Sequence, residues 1–212
     1  MTARRGLLLV VSGPSGVGKT TITRRLRDRF RAVFSVSATT RAIGPGERDG
    51  VDYHFITQAD FERALEQGRF LEHAQVFGRH WYGTPRDPVE RHLAEGRVVI
   101  LDIDVQGALQ VRRSMPEALL IFILPPDDEE LLRRLRDRGR DDPEAIARRF
   151  AEAQREVAIA RGSGAYDAFV VNSDLDAAVE RIAALISQRS SEQAAVHGPD
   201  ADPAPASRGG GA

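Results

Sequence analysis

The sequence predicts an α/β fold, a parallel sheet flanked by helices, and three observations predict it. Apolar runs recur at 7–12, 98–102, 119–124 and 169–172, unbroken rather than alternating, as in strands buried on both faces. Segments of helical periodicity separate them, the rhythm of a parallel sheet with helices on both faces. The first run leads straight into Gly13-Pro14-Ser15-Gly16-Val17-Gly18-Lys19-Thr20, a glycine-rich turn from strand to helix.

The elements follow in order. Residues 20–31 read as a helix with Ile22, Leu26 and Phe30 on one face. A short strand is expected at 34–37. The polar stretch 39–52, with Gly44, Pro45, Gly46 and Gly50, reads as an exposed loop. Residues 53–56 read as a strand, and Asp60 as the cap of a short helix ending near Gly68. Residues 70–77 and the segment around Trp81-Tyr82-Gly83 read as further strands or an irregular sheet. A helix is predicted at 85–95, ending at Gly96. Pro125-Pro126 stops the third core strand before a helix at about 128–138. Gly139 breaks that helix, and a longer one runs from Pro143 to about Ala160. Asp174 caps a final helix to about Gln188. Beyond it, 190–212 turns to Ser, Ala, Pro and Gly and reads as a disordered tail. The stretch 36–88 interrupts the strand–helix rhythm and reads as an inserted subdomain.

Composition narrows the function. The chain has 212 residues, enough for one α/β domain with a small insertion. Its formal net charge of −1 gives no global pull toward nucleic acid or an anionic membrane, so an anion site must be local. The absence of cysteine excludes disulfides, zinc–thiolate sites and thiol nucleophiles. No apolar run is long enough to span a bilayer. The basic start followed by an apolar run superficially suggests a secretion signal, but the run is too short and passes directly into the glycine-rich loop. A cytoplasmic location is therefore expected.

The pattern Gly-x-x-x-x-Gly-Lys-Thr is a P-loop, so the fold is of the P-loop NTPase type. Its glycines turn backbone N–H groups inward around phosphates, and the helix N-terminus adds partial positive charge. Gly13, Pro14, Ser15, Gly16, Val17, Gly18, Lys19 and Thr20 are thus expected to cradle the phosphates of a nucleoside triphosphate. Lys19 reaches the β- and γ-phosphates, and Thr20 offers its hydroxyl to Mg²⁺. Of 30 basic residues only Lys19 is lysine, and it stands where a compact ammonium on a slim stem is needed.

A P-loop alone names no reaction. At Ser37-Ala38-Thr39-Thr40-Arg41, Pro45-Gly46-Glu47 and Asp52-Tyr53 the chain resembles the guanylate kinases. The resemblance continues through Phe70-Leu71-Glu72-His73-Ala74, Trp81-Tyr82-Gly83-Thr84, Leu101-Asp102-Ile103-Asp104-Val105-Gln106-Gly107, Arg134-Leu135-Arg136-Asp137-Arg138-Gly139 and Val171-Asn172-Ser173-Asp174. It implies a kinase domain over 1–189. The core comprises 1–35, 89–125 and 160–189, with a GMP-binding insertion at about 36–88 and a lid at about 126–159. It also implies transfer of the ATP γ-phosphoryl to GMP with Mg²⁺ as cofactor.

The resemblance implies residue roles as well. Glu72 accepts from guanine N1 and N2 while Ser37 and Thr84 donate to O6, and a carboxylate there disfavours adenine. Arg41, Tyr53 and Tyr82 hold the GMP phosphate, and Glu47 orders that region. Asn172 falls on the nucleotide side. Arg138 faces adenine, while Arg134 and Arg149 serve the transferring phosphoryl beside Lys19 and Arg41. Asp102 contacts guanine or the Mg²⁺ water shell. Asp104 either does the same or caps the helix beginning near Gln106. Most family members carry a second arginine where this chain has Gly44, which implies weaker GMP binding. Acidic residues interleave the lid arginines, which argues against a nucleic-acid patch. The expected partners are GMP and ATP, without nucleic acid or membrane, and the oligomeric state is open.

Overall fold

The computed structural model describes residues 6–76, 78–137 and 142–196. Five strands form the core sheet: β1 (Leu8–Ser12), β2 (Val33–Phe34), β7 (Val99–Asp102), β8 (Leu119–Leu124) and β9 (Ala168–Val171). Their order is β2-β7-β1-β8-β9 and every pairing is parallel. Side-chain alternation along the central strand β1 builds two cores. Leu9 and Val11 pack with Ile22 and Leu26 of α1 (Lys19–Phe30) and Ile182 and Ile186 of α7 (Leu175–Val196). Leu8 and Val10 pack with Val89 and Leu93 of α3 (Arg86–Ala94) and Val111 of α4 (Val105–Ser114). The sheet is covered on both faces, which is why its strands read as unbroken apolar runs.

A second sheet has the order β4-β3-β6-β5, from β3 (Ala38–Thr39), β4 (His54–Phe55), β5 (Phe70–Val76) and β6 (His80–Pro85). Its helix α2 (Gln58–Glu66) buries Phe61, stacked on Phe70 with ring centroids 4.4 Å apart. Two further helices, α5 (Asp128–Arg136) and α6 (Pro143–Ser163), pack together through Leu131, Leu135 and Ala153.

Three expectations change. The single strand expected at 34–37 is two short strands in different sheets. Ser35 N–H bonds Ile100 in the core, whereas the Ser37 carbonyl accepts from His54 N–H, so the chain crosses between sheets there. The cap of α2 is Thr57, whose Oγ1 accepts from Asp60 N–H at 3.1 Å and donates to the Asp60 carboxylate at 2.7 Å. Asp60 is its reciprocal partner three residues on, a Thr-x-x-Asp variant of the capping box. Finally, α7 continues through Val196, past residue 190 where the tail was expected to begin. Ser191 Oγ bonds the Ser187 carbonyl and Gln188 bonds Glu192, contacts one turn apart that carry the helix onward.

Candidate functional site

The P-loop turns from β1 into α1. Gly18 has φ +98°, and a Cβ there would lie 2.6 Å from Asn172 Nδ2, so glycine is needed both for backbone and for space. The buried Asn172, just after β9, donates Nδ2 to the Val17 carbonyl at 2.8 Å. Lys19 Nζ donates to the carbonyls of Gly13 at 2.5 Å and Pro14 at 3.3 Å, folding the ammonium back over its own loop. A cleft of about 320 Å³ opens beside it, lined by the loop glycines, Pro14, Ser15, Lys19, Thr20, Asp102, Ile103, Asp104 and Glu156. Burial raises the Asp102 carboxyl above the ordinary range, and Lys19 partly opposes the shift.

Asp104 caps α4: its Oδ1 accepts from Gly107 N–H at 2.7 Å. It also lines the cleft, so the cap and a cleft-facing position are compatible. Sequence reading missed Glu156, whose carboxyl is pushed up to about 7, mainly by burial. Its signal was available in the spacing: Ala153 and Ala160, three residues before and four after it, are the buried residues of α6.

On the second sheet, Glu72 of β5 and Thr84 of β6 face each other in register. Both are buried, and Thr84 Oγ1 donates to Glu72 Oε1 at 2.6 Å. Burial pushes the Glu72 carboxyl up to about 7 against the opposing pull of Thr84. Ser37 stands just before β3, which pairs with β6.

Nearby, Arg41 grips Glu47 with two parallel bonds, Nη1 to Oε2 at 2.8 Å and Nη2 to Oε1 at 2.7 Å. Arg41 Nε donates to Tyr82 Oη at 3.3 Å, and the guanidinium lies 5.5 Å from the Tyr53 ring centroid. Tyr53 and Tyr82 meet edge to face. Hydrogen bonds from Arg41 and the Gly44 N–H lower the Glu47 carboxyl below its usual range. Arg41, Glu47, Tyr53 and Tyr82 thus form one cationic–phenolic corner suited to an anion.

The arginines of α5 and α6 are less gathered. Arg134 Nε bonds Glu130 at 2.7 Å, and its Nη2 bonds the Asn172 carbonyl at 3.0 Å. It braces the strand behind the P-loop and is not among the residues lining the cleft. Arg149 is exposed on α6, and Arg138 lies outside the described residues.

Among the described residues, no group of three or more His, Asp or Glu side chains is placed to hold a metal, and no helix is long and apolar enough to cross a membrane. The site therefore has two compartments, a backbone-amide cleft suited to a polyphosphate and a carboxylate–hydroxyl pair beside an anion corner.

Comparison with known proteins identifies the family. The guanylate kinase family model matches residues 5–189. The chain is 48% identical over 186 residues to a guanylate kinase of Thermus thermophilus, covering 88% of this chain and 82% of that one. It is 52% identical over 180 residues to a guanylate kinase of Gloeobacter violaceus, covering 84% and 86% respectively. A crystal structure of guanylate kinase from Anaplasma phagocytophilum superposes with a TM-score of 0.69 at 36% identity, covering 90% of this chain and 89% of that one. With a family match over most of its length, a P-loop cleft and a buried carboxylate–hydroxyl pair on the inserted sheet, this chain belongs to the guanylate kinase family.

Proposed function

We propose that the chain transfers the γ-phosphoryl group of ATP to GMP, giving ADP and GDP, in line and with Mg²⁺. The observation that carries the reading is the buried Glu72–Thr84 pair, set on a sheet whose Tyr82 is bonded by Arg41, just past the end of β3. A nucleoside monophosphate with N–H donors on its base edge matches that set; a sugar phosphate leaves Glu72 buried without a partner from the substrate. Guanine supplies N1–H and N2–H₂ to Glu72, and its phosphate meets Arg41, Tyr53 and Tyr82.

In the reaction an oxygen of the GMP phosphate forms a bond to Pγ. The bond from Pγ to the β,γ-bridging oxygen breaks, and ADP leaves with that electron pair. No general base is needed, since the attacking oxygen is already anionic. Positioning and charge neutralisation supply the catalysis. Lys19, by swinging from the Gly13 and Pro14 carbonyls, meets the β- and γ-oxygens. By the family resemblance Arg134 and Arg149 serve the transferring phosphoryl and Arg138 the adenine face, on a lid whose closure would exclude water.

Thr20 and Asp102 both line the cleft, a donor set suited to a hydrated Mg²⁺ held largely by phosphates. Mg²⁺ held there would supply charge neutralisation to the transferring phosphates.

A coupled assay of ADP release tests the reading. ADP should form rapidly with ATP, Mg²⁺ and GMP, slowly without GMP, and at background in Lys19→Ala. GMP inactive as acceptor overturns it.

A further inference from the structure

Helix α4 begins beside the phosphate cleft and belongs to the core, yet it grips the edge strand of the second sheet. Gln110 bonds His73 twice: Oε1 accepts from the His73 N–H at 3.1 Å, and Nε2 donates to the His73 carbonyl at 2.8 Å. Ser114 Oγ, one turn on, donates to the Leu71 carbonyl at 3.3 Å. Since β5 ends its sheet, these backbone groups face away from β6, and α4 supplies the partners that a neighbouring strand otherwise provides. The bonded residues flank Glu72 on both sides.

One turn earlier, α4 meets the carboxylate itself. A Cβ at Gly107 would stand 2.8 Å from Glu72 Oε2 and 3.3 Å from its carboxyl carbon. The other oxygen is fixed by Thr84 at 2.6 Å. Glu72 therefore sits in a slot with Thr84 on one side and the bare backbone of Gly107 on the other. Its flexibility offers little relief, because a buried carboxylate that shifts to admit a methyl group gives up the Thr84 bond.

We propose that Gly107 and Gln110 are positioning residues for base recognition: α4 seats the Glu72 carboxylate, Gly107 by leaving it room and Gln110 by fixing β5 against the helix. The inference rests on Glu72 being the guanine acceptor. It goes beyond that reading by assigning specificity to a core helix outside the inserted sheet. Because the Asp104 cap bonds the Gly107 N–H and lines the phosphate cleft, the same helix start touches both compartments.

Steady-state KM values for GMP, IMP and ATP in the wild type, Glu72→Gln, Gly107→Ala and Gln110→Met, with thermal melting of each, test the inference. IMP lacks the 2-amino group, so its use relative to GMP reports how well the carboxylate is placed. Gly107→Ala is expected to raise the GMP KM about tenfold, and Gln110→Met several-fold, while ATP KM stays within about twofold. Both should shrink the preference for GMP over IMP. Folded variants with wild-type GMP KM and preference overturn the inference, as does a parallel rise in the KM of ATP and GMP. Should Gly107→Ala fail to fold, Gln110→Met decides by the same criteria. If Glu72→Gln itself leaves the preference intact, the guanine reading falls and this inference with it. If Glu72→Gln abolishes the preference and the α4 variants do not, the positioning role alone falls.

Discussion

Thr84 gives its hydroxyl proton to Glu72 across the β5–β6 pair, Oγ1 to Oε1 at 2.6 Å, with both side chains buried. A hydroxyl has one proton to donate. In this arrangement Thr84 orients the carboxylate, and donation to guanine O6 requires the hydroxyl to rotate. Thr84→Val keeps the shape and removes the donor. It is expected to lower kcat/KM for GMP by about tenfold or more, with Thr84→Ser retaining most activity. Equal activity of Thr84→Val and wild type contradicts this role.

The Glu72 carboxyl, pushed up to about 7 by burial, should make GMP use depend on pH. Only the ionised form accepts from both N1 and N2, so the GMP KM should rise as pH falls through about 7, with ATP KM little affected. Glu72→Gln should lose this component of the profile. Stability runs the other way. The folded pKa lies above that of an unfolded glutamate, about 4.3, so between these values the folded state binds more protons. Stability on this account increases as pH falls from about 7 toward 4.3, and at pH 8 the buried charge is a cost. Glu72→Gln should therefore melt higher than wild type at pH 8, with the gap closing toward pH 5. A lower melting temperature at pH 8 contradicts the desolvation account.

How much of this was legible depends on what fixes each feature. The core strands were plain because burial on both faces leaves continuous apolar runs such as 119–124. The P-loop was plain because its backbone admits few residues besides glycine. The two-residue strand β3 was obscure, since so short a segment becomes a strand only through partners distant in sequence, whereas β4 lies within the strand expected at 53–56. Read alone, Glu72 is an ordinary strand glutamate, and family resemblance singled it out. It is buried, with Gly107 close against its carboxylate, and that burial raises its pKa against the opposing hydrogen bond from Thr84; spacing along the chain reveals none of this.

Gly44 occupies the turn that Arg41 and Glu47 bracket, and its N–H donates to Glu47 Oε2 at 2.6 Å. A Cβ there would stand 2.9 Å from that same oxygen, the far end of a side chain able to yield slightly. Gly44→Arg adds a guanidinium to a corner already built for an anion. The GMP KM is expected to fall several-fold with the ATP KM unchanged. An unchanged GMP KM removes the idea that Gly44 weakens acceptor binding. Glu47→Gln should act oppositely, because Arg41 then loses its charged bidentate partner and the orientation it fixes.

Asn172 reaches the P-loop from behind, with Nδ2 donating to the Val17 carbonyl at 2.8 Å while its own carbonyl accepts from Arg134 at 3.0 Å. The loop is thus clamped between β9 and α5. Asn172→Asp replaces the donor with an acceptor facing a carbonyl in a buried position, a repulsion that the loop relieves only by moving. The expected result is a rise in ATP KM of about tenfold, with GMP KM within about twofold, because the acceptor compartment stands on the other sheet. Arg134→Met removes the second brace and should shift ATP KM in the same direction, by less, since Asn172 remains. If Asn172→Asp folds and binds ATP as the wild type does, the loop holds its shape through its glycines and the helix turn alone. A KM rise for both nucleotides would instead mean that the clamp supports the whole sheet.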